Sequence, residues 1–332
     1  MSNTLHASRR WFTIAAVAAG LGIATAAPVL AQDKYPGKPI RWVVGFPAGG
    51  GSDFLARTVA NAMSEQMGQP IVIDNRPGAG AMIGADVAAR APADGYTLWT
   101  GDMATLVFNP MIYRKVPYKV SDFQPVGLMA RFNMVVTTGT ATGIDTMAGA
   151  VEAMRKEPGK YSYGSVGAGT PHHFVMELFK KSAGVDVVHV PYRGLAPVVQ
   201  DLIGGQVQFA PIDTASAQVH VKAGKLKALA VTSRARLPAF PQVPTMAELG
   251  FKDVEMYAWQ GLMVHADTPR TIVDQLAVNL HKALQRPDVR KALVDYGLEI
   301  TPSSPQELGS YIDQQTKFWG EIVRASGIKL DM

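Results

Sequence analysis

Ile40-Arg41-Trp42-Val43-Val44-Gly45-Phe46-Pro47-Ala48-Gly49-Gly50-Gly51-Ser52-Asp53 is the stretch that decides the fold. Residues 40–46 are mostly apolar and β-branched or aromatic, which suits a strand buried on both faces. Pro47 and three glycines then break the chain, and Ser52 or Asp53 is placed to cap a helix. Leu55, Val59, Met63 and Met67 fall on one stripe of that helix, and Gly68 stops it. Strand, glycine loop and helix start together expose backbone N–H groups that have no intrahelical partner. An anion fits there, a carboxylate as well as a phosphate. No Gly-Lys-Ser/Thr follows, so the loop is not a Walker A sequence, and it is not Gly-x-Gly-x-x-Gly either. A glycine turn that merely joins strand to helix remains the plainer reading at this point.

Outward from this unit the same alternation continues. Residues 71–74 read as a second strand, ending in Asn75-Arg76-Pro77-Gly78-Ala79-Gly80, with a helix after it that turns Ile83, Val87 and Ala88 inward. Residues 96–100, 126–130 and 134–138 read as further strands. From Asp145 the pattern restarts: a helix to about Lys156, a strand over 161–165, then Gly167-Ala168-Gly169-Thr170-Pro171. Thr170 as N-cap and Pro171 at the first helical position mark a helix start. Strands over 187–190, 207–210 and 226–231 alternate with helices over 197–203 and 215–223. After an extended run over 257–264 only helices follow, over 269–284, 287–296 and 305–325, each with a proline near its start.

Strands alternating with helices argue for an α/β protein with mainly parallel sheets, and the restart near residue 140 argues for two domains. Residues 32–136 with 258–332 make the first and 137–257 the second, with 134–138 and 255–261 as crossings. Ligands of open parallel sheets bind beyond the carboxyl ends of the strands. Loops 47–53, 77–84, 166–171, 191–194 and 211–214 all lie at such ends, and two domains facing each other with these loops form a cleft that closure would bury.

The chain has 332 residues, 47% of them hydrophobic and 18% charged, an ordinary globular composition with room for about two domains. Residues 1–31 read as a cleaved export signal: Arg9 and Arg10 precede an apolar run too short and too rich in Ala and Gly for a membrane anchor, and small residues stand before Gln32. Ser8-Arg9-Arg10-Trp11-Phe12 also resembles a twin-arginine signal, although Thr13 and Ile14 depart from it. No cysteine is present, which excludes disulfides, thiol catalysis, cysteine metal sites and a lipid-modified cysteine anchor. The expected location is therefore the periplasm. Two of the five net positive charges belong to the leader, leaving +3 dispersed along the mature chain. No basic run of the nucleic-acid-binding kind occurs.

Several motifs then carry a family likeness. Tyr35-Pro36-Gly37-Lys38-Pro39-Ile40-Arg41, Phe46 to Asp53, Asn75 to Gly80, Ala93-Asp94-Gly95-Tyr96-Thr97-Leu98, His189-Val190-Pro191-Tyr192-Arg193-Gly194 and Pro244-Thr245 with Glu248 and Gly250 span the mature chain. The chain resembles the Bug-type extracytoplasmic solute receptors, the binding components of tripartite tricarboxylate transporters. The resemblance implies a two-domain periplasmic binding protein of the type II kind that closes over a small organic acid and acts with membrane transport subunits. Nothing in the sequence demands an oligomer or a cofactor, so a monomer without cofactor is expected. The resemblance further implies that backbone amides and hydroxyls hold the carboxylate. Carried over by motif, the contacts are Ala48, Gly49, Gly50, Ser52, Asp53, Gly80 and Ala81 on one side. On the other they are Ser165, Gly169, Thr170 and His173, with Tyr192 and Gly194 behind them.

The chain departs from the family where amide side chains are usual, with Met82 and Ala168 in their place, and Pro211-Ile212-Asp213 stands where Phe-Asp-Asn is more usual. Met82 and Ala168 suggest a less polar middle to the cleft, suited to an aromatic dicarboxylate such as terephthalate, since Met contacts rings well. Arg193 and Asp213 are further candidates. Arg193 is otherwise a solvated loop arginine, and Asp53 otherwise a helix cap. His172-His173 lacks the further ligands a metal needs. Ser52, His173 and Asp213 could be drawn as a triad, but no Gly-x-Ser-x-Gly elbow is present. The alternatives to a transport receptor are a ligand sensor for a membrane signalling protein and, less favoured, an exported hydrolase.

Overall fold

The computed structural model describes residues 35–326. The export leader read over residues 1–31 lies outside the described residues. Strand β1 (Ile40–Val44) buries Trp42, whose indole N–H donates to the Thr100 hydroxyl at 2.8 Å. Its one partly exposed residue, Arg41, pairs with Asp74 on the neighbouring strand. Helix α1 (Gly51–Met67) buries Leu55, Val59 and Met63. Gly68 closes it in the left-handed conformation, donating to the Ser64 carbonyl, as read from the sequence.

Strand β2 (Ile71–Asn75) and strand β3 (Thr97–Asp102) flank β1, both parallel to it. Between them lies helix α2 (Met82–Ala89). Its inward face is the expected one at Ala88, which is buried, and at Val87, which packs against the core, but not at Ile83, which is 47% exposed; Met82, 1% exposed, is buried in the core cluster of Val43 and Trp99 instead. The reason is local. Gly84 and Gly45 touch, and a Cβ on Gly84 would sit 2.9 Å from the Gly45 Cα. The backbones of β1 and α2 meet there with no room for a side chain, which fixes the rotation of the helix.

After β3 the chain makes a wide π-type turn, Ala104–Phe108, and a short helix α3, Asn109–Ile112, where the sequence showed no element. Strand β4 then runs unbroken from Phe123 to Gly139, where two short strands were expected. Its partners change midway. Residues Phe123–Asn133 pair antiparallel with β9 (Tyr257–His265), whose own other side pairs with β3. Residues Met134–Gly139 pair antiparallel with β7 (Phe209–Asp213) and β8 (Leu226–Val231). One strand thus serves two sheet halves, ordered β2-β1-β3-β9-β4 and β4-β7-β5 (Ser162–Ser165)-β6 (Val188–Pro191), with β8 and β10 (Leu298–Ile300) also on β4.

In the second half, β5 (Ser162–Ser165) lies parallel to β6 (Val188–Pro191) and β7. Helices α4 (Met147–Lys156), α5 (Pro171–Ala183), α6 (Leu195–Ile203) and α7 (Thr214–Lys222) fill the connections. Helices α8 (Arg270–Gln285), α9 (Pro287–Asp295) and α10 (Pro305–Ser326) return to the first half. The α/β class holds, with the sheets mixed, because the shared strands β4 and β9 run against their neighbours. Trp42, Trp99 and Trp259, on β1, β3 and β9, are fully buried.

Candidate functional site

A cavity of about 990 Å³ lies where the carboxyl ends of the strands of both halves meet. Four helices begin on it. Gly50, Gly51 and Ser52 bring the start of α1; Thr170, Pro171 and His172 that of α5; Gly194, Leu195 and Ala196 that of α6; Asp213, Ala215 and Ser216 that of α7. The N–H groups of a first helical turn have no partner within the helix, and the aligned peptide dipoles make each start partly positive. The α1, α5 and α6 starts carry no side-chain cap and form a site for negative charge made of backbone, while Asp213 already caps the α7 start.

The loop before α1 is held from behind. The N-cap is Gly50, not Ser52 or Asp53. Asp53, 4% exposed, instead reaches back: it accepts from the Gly49 N–H at 2.9 Å, from Arg57 at 2.9 Å and from the Asn75 amide at 2.9 Å. Asn75 also donates to the Phe46 carbonyl. Burial alone would raise the Asp53 carboxyl, but the Arg57, Gly49 and Asn75 hydrogen bonds hold it below the ordinary carboxylate range. Asp53 thus shapes the loop and does not line the cavity.

The other sequence-derived contacts divide. Ala48, Gly49, Gly50, Ser52, Thr170, Arg193, Gly194 and Asp213 line the cavity. Gly80, Ala81, Met82, Ser165, Ala168, Gly169, His173 and Tyr192 do not. Asp213 caps α7 by accepting from the Ser216 N–H, and burial raises its carboxyl against that bond. His173 turns into the protein: it stacks on His189 at 4.0 Å and accepts from the Gly169 N–H. Its neighbour His172 lines the cavity instead. Ser165 is fully buried, bonded to His189 and to the Gly167 carbonyl, and Tyr192 donates to Asp201. Ser165 with His189 is therefore a structural pair shut off from substrate. Desolvation holds His172 and His173 down at about 4 and His189 at about 3, so all three are neutral near pH 7.

Gly80 and Ala168 meet across the two halves. A Cβ on Gly80 would lie 3.1 Å from the Ala168 carbonyl oxygen, Tyr113 donates to that same oxygen at 3.2 Å, and Asn109 donates to the Gly80 carbonyl at 2.9 Å. A second meeting point puts Gly194, at φ +126°, under Pro47, with 3.0 Å between its would-be Cβ and the proline ring. The loop 77–84 therefore seals the halves against each other rather than lining the cavity.

Residues not singled out from the sequence complete the lining. Phe46, Met103, Phe132, Trp259 and Tyr296 supply an aromatic and apolar wall. Asp102 and Gln260, paired across β3 and β9, supply its polar floor. The carboxyl-end rule applied to 96–100 points to Asp102. Gln260 and Tyr296 carry no local signal.

A family model for the tripartite tricarboxylate transporter family receptor matches residues 55–328. Protein BugT of Bordetella pertussis is 35% identical over 317 residues, covering 94% of this chain and 97% of that protein. Among solved structures, an R. palustris protein with adipate is 31% identical, with a TM-score of 0.86 over 90% of this chain and 100% of that one. MatC from Rhodopseudomonas palustris with bound malate is 28% identical, with a TM-score of 0.82 over 87% of this chain and 100% of that one. The cavity ringed by helix starts and the full-length likeness agree, and the chain belongs to the tripartite tricarboxylate transporter family of receptors.

Proposed function

We propose that the chain is a periplasmic receptor that captures an organic carboxylate between its two halves and delivers it to the membrane subunits of a tripartite transporter. The observation that carries this reading is the convergence of the α1, α5, α6 and α7 starts on one cavity. No lining arginine or lysine is needed for such a site; Arg193 and Lys225 line the cavity but are exposed. Residues 32–136 with 258–332 and 137–257 act as the two closing bodies, supported by the change of partners along β4. Ligand held by both sides raises the population of the closed form, and the membrane subunits read that shape.

The cavity volume and the ring of Phe46, Phe132, Trp259 and Tyr296 favour an aromatic or similarly bulky carboxylate, of which terephthalate is the diacid form. The expectation of a bulky ligand thus rests on this wall, since neither Met82 nor Ala168 lines the cavity. A thermal-shift series on the chain from Gln32, with aliphatic and aromatic mono-, di- and tricarboxylates, tests the reading. A ligand at a hundred times its Kd should stabilise by about 2.7 kcal/mol. A selective rise with an aromatic carboxylate is expected; no rise with any carboxylate would overturn it.

A further inference from the structure

The floor of the cavity differs in kind from its rim. Asp102 ends β3 and is 5% exposed. One carboxylate oxygen, Oδ1, is occupied: it accepts from the Thr105 N–H at 2.8 Å and lies 3.1 Å from the Thr105 hydroxyl. The other, Oδ2, is buried and has no partner. Directly opposite on β9 stands Gln260, 4% exposed. Its amide nitrogen donates to the Ser52 hydroxyl, and its Oε1 is also buried without a partner.

Two neighbouring acceptors are thus orphaned on the floor of a cavity that both residues line. An unpaired buried acceptor costs about 1–3 kcal/mol, more when charged. While Asp102 is ionised both atoms are acceptors only, so what each lacks is a donor brought by a third party. Burial pushes the Asp102 carboxyl up to about 6, against the opposing bonds from Thr105 and Ala104, so it is still ionised near pH 7.5.

We propose that Asp102, with Gln260 beside it, is the specificity-determining residue of the cavity, selecting a carboxylate whose far end carries a hydrogen-bond donor (a hydroxyl or an amine) over one whose far end is a second carboxylate. This rests on the receptor reading above. The helix starts take the anionic end of the ligand, and the floor takes the donor. A second carboxylate on the floor would face the Asp102 carboxylate at close range in a site sheltered from water, where like charges repel most.

The test is calorimetric titration at pH 7.5 of the chain from Gln32 with benzoate, 4-hydroxybenzoate and terephthalate, for wild type and Asp102→Asn. Asparagine keeps the shape and an acceptor for Thr105, and offers N–H groups where Oδ2 stood. Wild type should bind 4-hydroxybenzoate at least about tenfold tighter than terephthalate, a hydrogen bond to a charged acceptor being worth that factor or more. In Asp102→Asn that preference should fall about tenfold, chiefly because terephthalate gains. Terephthalate binding more tightly than 4-hydroxybenzoate to wild type would overturn the proposal and leave the receptor reading intact. So would an unchanged preference in a variant with wild-type circular dichroism. Failure of all three acids to bind wild type would overturn this proposal and the aromatic reading of the cavity wall, while the receptor reading would fall only if the wider carboxylate series also failed.

Discussion

Two loops of the first half are built alike and do different work. Each leaves a strand of the same sheet, carries several glycines and opens a helix: Gly45 to Gly51 before α1, and Gly78 to Ala81 before α2. The first faces the cavity. The second packs against Gly45 on one side and against Ala168 and Asn109 on the other. Its helix starts at Ala81, in the left-handed region at φ +68°, with Ala79 at +48°. A helix start binds an anion only if its N–H groups open onto space, and tertiary packing decides that.

Substitutions can break this contrast. The largest effect is expected at Gly84, where any side chain meets the Gly45 Cα at 2.9 Å and the Arg76 carbonyl at 3.3 Å. Gly84→Val should cost about 1–3 kcal/mol of stability, the usual range for overpacking, read as a lowered urea midpoint. Gly50→Ala is the counterpart: its Cβ would meet only the Pro47 carbonyl at 3.7 Å. Stability there should stay within about 1 kcal/mol of wild type. Equal destabilisation by the two would mean the loops are equally packed.

Tyr113→Phe sharpens the role of the sealing loop. It removes the bond to the Ala168 carbonyl across the halves and should weaken carboxylate binding by up to about tenfold, with little change in melting temperature. Unaltered affinity would show that this contact does not stabilise the closed form.

The start of α5 and its neighbour strand β6 carry a pH signature. His172, His173 and His189 have folded values of about 4, 4 and 3, below the ordinary histidine value of 6.5. The unfolded chain therefore binds protons first. Their contribution to stability is complete above about pH 6.5 and is lost as pH falls from there towards 4, and for His189 towards 3. Asp102, raised to about 6, works in the opposite direction, its cost being relieved below that pH. His173→Phe should keep a ring against His189 and flatten the fall in melting temperature between pH 6.5 and 4. An unchanged slope would place the acid sensitivity elsewhere.

The smallest effect is expected from Ala81→Gly. Relief of the left-handed alanine is offset by the greater freedom of glycine in the unfolded chain, so the net change should lie within about 1 kcal/mol.

Much of this was legible in the chain itself. Apolar strand runs and proline or glycine helix boundaries set out the α/β order, and the carboxyl-end rule found the loops around Gly50, Thr170, Gly194 and Asp213. What escaped depends on contacts distant in sequence. Loop 77–84 reads as a second binding loop because its local chemistry is that of the first; only Asn109 and Ala168, far along the chain, fill the space before it. His172 and His173 differ by one residue, and helix rotation alone sends one to the cavity and the other onto His189. Strand β4 reads as two pieces because Arg131 and Asn133 interrupt its apolar run, yet both pair with β9, opposite Trp259 and Tyr257. The floor pair Asp102 and Gln260 lies 158 residues apart in the chain and has no local signature.

The most direct test of the account is a backbone amide NMR titration of deuterated chain from Gln32 with 4-hydroxybenzoate. The largest shifts are expected at Gly50, Gly51 and Ser52 and at Leu195, Ala196, Ala215 and Ser216, with smaller ones at Met82 and Gly84. Dominant shifts at Ala81, Met82 and Gly84 with none at Gly50 to Ser52, or no shifts at all, would contradict it.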